Sequence, residues 1–269
     1  MADKARQYKR STVRRLDTLS SNECTDPECN RKLIAKDGET IVSKICHIEA
    51  ANKYGPRFNS EMNDDDRRHF DNLILLCDEC HNIIDNPENE DKYPVSLLQS
   101  WKKMHENKSQ QRILVKNSGL INQVINGIAD IEFEEMSQEL DSLTPFNITD
   151  KIFHNAVRRN KSLIEEYGKY YPKINSLYRE LEKQGSFKKE KLLRNIKQLY
   201  VRIKGQYVLD SSNKLQSIQD NADNIIEDIE NKLLEFVDNN HSQKDDIAFA
   251  IPIVMVDAFM RCKIFEEPA

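Results

Sequence analysis

The chain has few glycines, a single tryptophan and no long apolar run. Seven glycines in 269 residues leave few positions for the turns and bulges of an all-β fold, and favour helix. The opening residues, Met1-Ala-Asp-Lys-Ala-Arg6, contain no apolar stretch of the kind that forms a signal peptide. The longest apolar run, which includes Ala248 to Val256, is far short of the roughly 20 residues of a membrane-spanning helix. A positive surplus is missing too, since 40 basic residues face 45 acidic ones, for a net charge of −5. That argues against tight, unaided binding of nucleic acid through bulk charge. These absences predict a soluble, cytoplasmic chain with no membrane association. Its length suits one large domain or two ordinary ones, and 38% hydrophobic residues suffice for packed cores.

The charge is unevenly spread. Lys4, Arg6, Lys9, Arg10, Arg14 and Arg15 make residues 1–20 a basic arm. Residues 120–269 carry 20 basic and 25 acidic residues, so nucleic acid is expected to meet the other half. That half, residues 21–106, holds every candidate site. Short strands are predicted over 30–36, 40–47 and 73–76, and a long loop over 52–71. A helix is predicted to start near Cys80 and stop near Pro87. A second opens at Pro94, with Leu97, Leu98, Trp101 and Met104 packed back on the core. The polar stretch 107–119, ending in Asn117-Ser118-Gly119, reads as a linker. Beyond it, apolar residues recur at helical spacing in three stripes, through Ile152 to Leu181, Leu192 to Ile203 and Ile225 to Phe236. Pro172 interrupts the first. The stripes predict an antiparallel helical bundle over 120–269. The apolar Ile251 to Phe265 segment should be buried, in this bundle or against a partner.

What is present is a set of cysteines at telling intervals. Four residues separate Cys24 from Cys29, and two separate Cys77 from Cys80. Four thiolates complete a tetrahedral zinc site, and paired ligands at such spacings suit it. Zinc would then staple a core too small to stay folded alone. Cys46 and Cys262 are left over, and Cys262 reads as a buried apolar residue. His47 ends a predicted strand, where an imidazole can take a proton from water. Asn72 cannot act as a base, but its amide can hold a loop or orient that imidazole. His81 and Asp85 are four apart on a predicted helix and share a face. Such a pair can hold a divalent ion that polarises a phosphate. Arg57, Arg67 and Arg68 lie beside these residues as candidate contacts to DNA phosphates. The remaining histidines and the Asp64–Asp66 run read as surface or packing residues.

Together, Cys24-x4-Cys29, Cys46-His47-Ile48-Glu49-Ala50, Gly55-Pro56-Arg57 and Asn72-Leu-Ile-Leu-Leu-Cys77-x2-Cys80-His81-x2-Ile84-Asp85 resemble the HNH endonuclease family, the ββα-metal fold. The similarity covers about residues 20–106. It is strongest to HNH modules of bacterial anti-phage effectors, which share the Gly-Pro-Arg loop and a closing Leu97-Leu98-x2-Trp101-Lys102. The resemblance implies His47 as general base, Asn72 as the middle asparagine, and His81 on the metal, with Asp85 as a second ligand from the same helix. It implies Mg²⁺ or another divalent ion for catalysis beside the structural Zn²⁺. One departure stands out. Many members carry Asp or His where this chain has Cys46, and a thiolate is a poor ligand for Mg²⁺.

The second half is similar to the C-terminal domain of effectors in bacterial ABC three-component (Lamassu-like) systems. Lys151-Ile152-x2-Asn155, Ile174-x3-Tyr178 and Asp257-Ala-Phe-x-Arg261-Cys262-Lys263-Ile264 carry that similarity. It implies partners: an SMC-like ABC ATPase, a small accessory subunit, and homo-oligomers on activation. The sequence-based expectation is therefore an α+β protein, with a zinc-stapled ββα-metal module followed by an all-α docking domain. Its activity would be partner-controlled hydrolysis of DNA phosphodiesters. A non-catalytic zinc adaptor and a stand-alone HNH restriction endonuclease stay open as alternatives.

Overall fold

A computed structural model describes residues 4–116, 119–131, 147–208, 213–240 and 247–268. The chain divides into two compact units, 1–117 and 118–269.

In the first unit, strands β1 (Ser43–His47) and β2 (Leu73–Cys77) pair antiparallel, with Ser43 opposite Cys77 and His47 opposite Leu73. Leu-Ile-Leu-Leu-Cys is buried throughout β2, as a strand covered on both faces requires. Upstream of β1 the hairpin reduces to isolated bridges, Glu23 to Lys32 and Ile34 to Ile41, in place of the predicted longer strands. Gly38 turns it with φ of 79°, a conformation that costs glycine nothing. Helix α1 (Arg10–Ser20) precedes the hairpin. Between the strands, α2 (Asp64–Arg67) is one short turn that Asn63 and Asp66 cap reciprocally. Asp64–Asp66 thus start a helix inside the predicted loop. Helix α3 (Asp78–Ile84) follows β2 directly, and Asp78 and Glu79 sit in its first turn, where the helix dipole favours them. Ile48, Ile74, Leu76, Ile84 and Leu98 form the core, and Trp101 packs on it.

One boundary differs from the sequence-based expectation, and the basic arm is part of the first unit. Arg15, Leu16 and Leu19 of α1 are buried, and the Arg15 guanidinium lies 3.4 Å above the Phe70 ring. The polar stretch from 107 is not a linker over most of its length, because α4 (Val95–Lys116) runs through it. Ser109 and Gln110 are buried, and the Ser21 hydroxyl meets that of Ser109 at 3.0 Å. Small polar side chains pack α4 there, which hydropathy does not register. Met104 points outward, 55% exposed.

The second unit is helical. Its elements are α5 (Leu120–Ala129), α6 (Ile148–His154), α7 (Lys161–Gly168), α8 (Tyr171–Lys183), α9 (Lys188–Val208), α10 (Lys214–Asp220), α11 (Ala222–Asn240) and α12 (Ile247–Met260). The break at Pro172 separates α7 from α8, with the proline in the first turn of α8. Helix α12 is buried from Ile247 to Phe259 and packs against α5, α7, α8, α9 and α11. The apolar segment is thus covered within its own unit. No described helix is long and apolar enough to cross a membrane.

Candidate metal centre and histidine site

Cys24 and Cys29 come from the loop after α1, Cys77 ends β2 and Cys80 sits in the first turn of α3. Their sulfurs all lie within 4.8 Å of one another, and Cys29 Sγ is 3.8 Å from Cys77 Sγ. Zn–S bonds of about 2.3 Å in a tetrahedron place sulfurs about 3.8 Å apart. The set therefore suits a metal such as zinc. None of the four is in a disulfide. Burial pushes the Cys24 thiol up to about 12, so a thiolate there calls for a cation.

A second cluster draws on the same helix, α3, and on β1. Cys46, His81 and Asp85 place ligand atoms within 4.8 Å of one another. Cys46 Sγ is 3.2 Å from Asp85 Oδ1, and His81 Nε2 is 3.5 Å from Asp85 Oδ2. Burial, then the adjacent Asp85 carboxylate, raises the Cys46 thiol well above its ordinary value. His81 Nδ1, the other ring nitrogen, is buried and has no hydrogen-bond partner among the described residues, so a polar ligand or water would satisfy it. The donors, one sulfur, one imidazole nitrogen and one carboxylate, suit a borderline transition ion better than Mg²⁺.

His47 follows Cys46 on β1, so successive side chains leave the strand on opposite faces. It is 8% exposed, and its Nε2 is 3.2 Å from the Ala5 carbonyl. A cavity of about 230 Å³ is lined by His47, Asp85, Arg6, Tyr54, Gly55 and Pro87, among others. Gly55 is required there, since a Cβ would stand 2.7 Å from that of Ala50.

Asn72 does not touch the imidazole through its amide. Its Oδ1 accepts from Glu49 N at 2.8 Å, and its Nδ2 donates to Glu49 O and Arg67 O, both at 2.9 Å. Of the two roles open to it, holding the loop is the one realised. It pins the chain just after His47.

The three arginines expected on DNA are mostly spent internally. Arg57 donates to Ile48 O at 2.8 Å, to Ile84 O at 3.0 Å and to Asp85 Oδ1 at 3.4 Å. Arg67 donates to the carbonyls of Ala50, Asn59 and Met62. Both are buried, and a buried guanidinium is stable only with its donors filled. Arg68 is turned to Gln7 O and Asp65. Arg57 and Arg67 thus turn their donors inward, and Arg68, half-buried, shares its own between Gln7 and Asp65. His69 caps its own turn by accepting from Asp71 N, His105 Nε2 on α4 lies 2.8 Å from Ser20 O at the end of α1, and His241 lies outside the described residues. Sequence reasoning missed the segment Lys4–Tyr8, because its partners lie some 40 to 60 residues away and a single 3-10 turn has no periodicity.

In the helical unit, the residues that carried the second resemblance form two linked networks. Lys151, fully buried on α6, donates to Phe259 O and to Ile264 O at 2.8 Å. Asn155 exchanges hydrogen bonds with the Glu266 main chain. Tyr178 donates to Asp257 Oδ2 at 3.0 Å, and Arg261 Nε approaches both Asp257 oxygens at 3.0 and 3.1 Å. These groups fasten the last turns of α12 and the segment that follows it. No curated protein and no solved structure matches the chain. A family model does, over residues 120–266, more than half the chain. Three-component systems imply partner subunits, and the chain belongs to the family defined by C-terminal domain 10 of the ABC-three component (ABC-3C) systems.

Proposed function

We propose that the chain is a metal-dependent DNA endonuclease effector of a bacterial anti-phage defence system. The ABC-3C domain supports the defence context. One observation carries the nuclease reading: Asp85 belongs to the Cys46–His81–Asp85 cluster and also lines the cavity that His47 faces. In this reading His47 takes the proton of an attacking water. His81 and Asp85, joined by Cys46, hold an ion that would supply charge stabilisation at the phosphate and the leaving oxygen. Asn72 keeps the loop behind His47 in place. The four cysteines hold zinc and the fold. An SMC-like ABC ATPase and a small accessory subunit restrain the effector, and assembly into homo-oligomers releases it.

The test is cleavage of plasmid DNA with Mg²⁺, Mn²⁺ or Zn²⁺, by the chain alone and with its co-expressed partner subunits. His47→Ala should fold, keep its zinc and lose at least about a hundredfold in rate. Cleavage at the wild-type rate by His47→Ala would sink the assignment. A non-catalytic zinc adaptor is the second reading. The Arg57–Asp85 contact at 3.4 Å favours it, since a guanidinium already neutralises one ligand of the proposed ion.

A further inference from the structure

Helix α9 runs against the charge of its unit. It carries seven basic residues and one acidic residue, Glu190, while the rest of residues 120–269 carries 13 basic and 24 acidic. A net count over that half averages the helix away. Leu192, Ile196, Leu199 and Ile203 bury one side of α9. Lys191, Arg194 and Arg202 are exposed on the other, where a period of 3.6 lines them up in one stripe. Lys191 and Arg194 pair with no group among the described residues. Lys191 is the fourth residue of α9, near the end where the helix dipole disfavours a cation, and stands three positions before a like charge. Two unpaired cations placed at a cost to the helix point to a polyanion outside it.

We propose that this face of α9 binds the phosphate backbone of nucleic acid, as a contact of its own in the helical unit. A guanidinium and an ammonium in a row suit successive phosphates of a strand. An acidic protein is the other polyanion to weigh, and the make-up of the stripe speaks against it. Protein interfaces close around an apolar core and are poor in lysine, whereas nucleic-acid interfaces are polar and positively charged. The exposed apolar side chains here, Phe187 just before the helix and Val201, lie at the two ends, about 20 Å apart along the axis. Every apolar residue of α9 between them is buried. Backbone contacts carry no base code, so this face would hold nucleic acid without regard to sequence. The proposal stands whether or not His47 hydrolyses DNA.

The test reads binding, not cleavage, on the full chain with no divalent ion added. Anisotropy of a short fluorescein-labelled duplex DNA, and of a single-stranded RNA, gives affinity as a function of salt. In Lys191→Gln/Arg194→Gln, binding of at least one probe should weaken about tenfold and its salt slope should fall by about two. The probe that responds names the source of the phosphates. Lys161→Gln/Lys232→Gln removes the same charge from α7 and α11 and should change little. Lys191→Glu should also bind more weakly than wild type yet melt no lower, because an acid there suits the helix dipole and can pair with Arg194. Equal losses in the two double variants would reduce the effect to net charge and overturn the proposal. Unchanged binding of both probes, or no binding by the wild type, overturns it too. Unchanged binding together with loss of a co-expressed partner subunit from Lys191→Gln/Arg194→Gln would overturn it in favour of an acidic protein.

Discussion

The Cys46 sulfur and the Asp85 carboxylate oxygen meet at 3.2 Å across the gap between β1 and α3. A thiol in that position selects for ions that tolerate sulfur. Cleavage should therefore be supported better by Mn²⁺, Co²⁺ or Zn²⁺ than by Mg²⁺. The Co²⁺-loaded protein should show a thiolate charge-transfer band that weakens in Cys46→Ser. Cys46→Asp should shift the preference toward Mg²⁺. An identical ion profile in wild type and Cys46→Asp would remove Cys46 from the ion site.

Cys24→Ser should cost the first unit most of its stability. Structural zinc in small domains is worth about 10 kcal/mol or more of binding free energy, beyond what a core this size supplies alone. Bound zinc, read by mass spectrometry of the native protein, should fall by one equivalent. The second unit should keep its helical signal, because its core is its own. Full zinc content in Cys24→Ser would exclude it as a ligand.

Asn72→Ala removes three hydrogen bonds to main-chain groups, two at Glu49 just after His47 and one at Arg67. Unsatisfied buried partners cost about 1–3 kcal/mol each, with partial relief from water. A loss of about 2–4 kcal/mol in chemical denaturation is expected, together with a fall in cleavage. Asn72→Asp keeps the acceptor and loses both donations, so it should recover only part of the stability. Alanine at wild-type stability would show the loop to be held elsewhere.

Lys151 predicts a pH dependence in the helical unit. Burial lowers its ammonium to about 8, from an ordinary 10.5. Between those values the unfolded chain holds the proton that the folded chain has released, so folding stability rises with pH across that window. At about 1.4 kcal/mol per pH unit the gain is about 3 kcal/mol at most. Denaturation midpoints from pH 7.5 to 10 should rise more steeply for wild type than for Lys151→Met. Parallel curves would mean that the ammonium keeps its ordinary affinity. Tyr178 and Tyr200 titrate upward-shifted in both chains and cancel in the difference.

The cysteine frame was legible because metal geometry constrains spacing locally, in Cys24-x4-Cys29 and Cys77-x2-Cys80. His81 and Asp85 were legible because a helix brings i and i+4 together. The arginines were not. A guanidinium folded under its own loop, as at Arg57, and one facing solvent look the same in a list of residues. The helix through 107–116 was hidden because Ser109 and Gln110 bury polar groups, which hydropathy counts against burial. The tail of the second unit was read as apolar, but not how it is fastened. Lys151 and Asn155 act on main-chain carbonyls more than a hundred positions away, and no local pattern encodes that distance.

Cys77 has three jobs at once. It ends β2 opposite Ser43, it is the N-cap residue of α3, and its sulfur belongs to the four-cysteine set. His47 sits on the same ladder, four rungs along. Oxidants attack thiolates, and a metal-bound cysteine set is a target for peroxide or hypochlorite. Ejecting a bound ion would loosen the ladder at its Cys77 end, four rungs from His47. In the endonuclease proposed above, oxidation of the four cysteines would lower cleavage without altering His47 itself, and reductant with zinc would restore it.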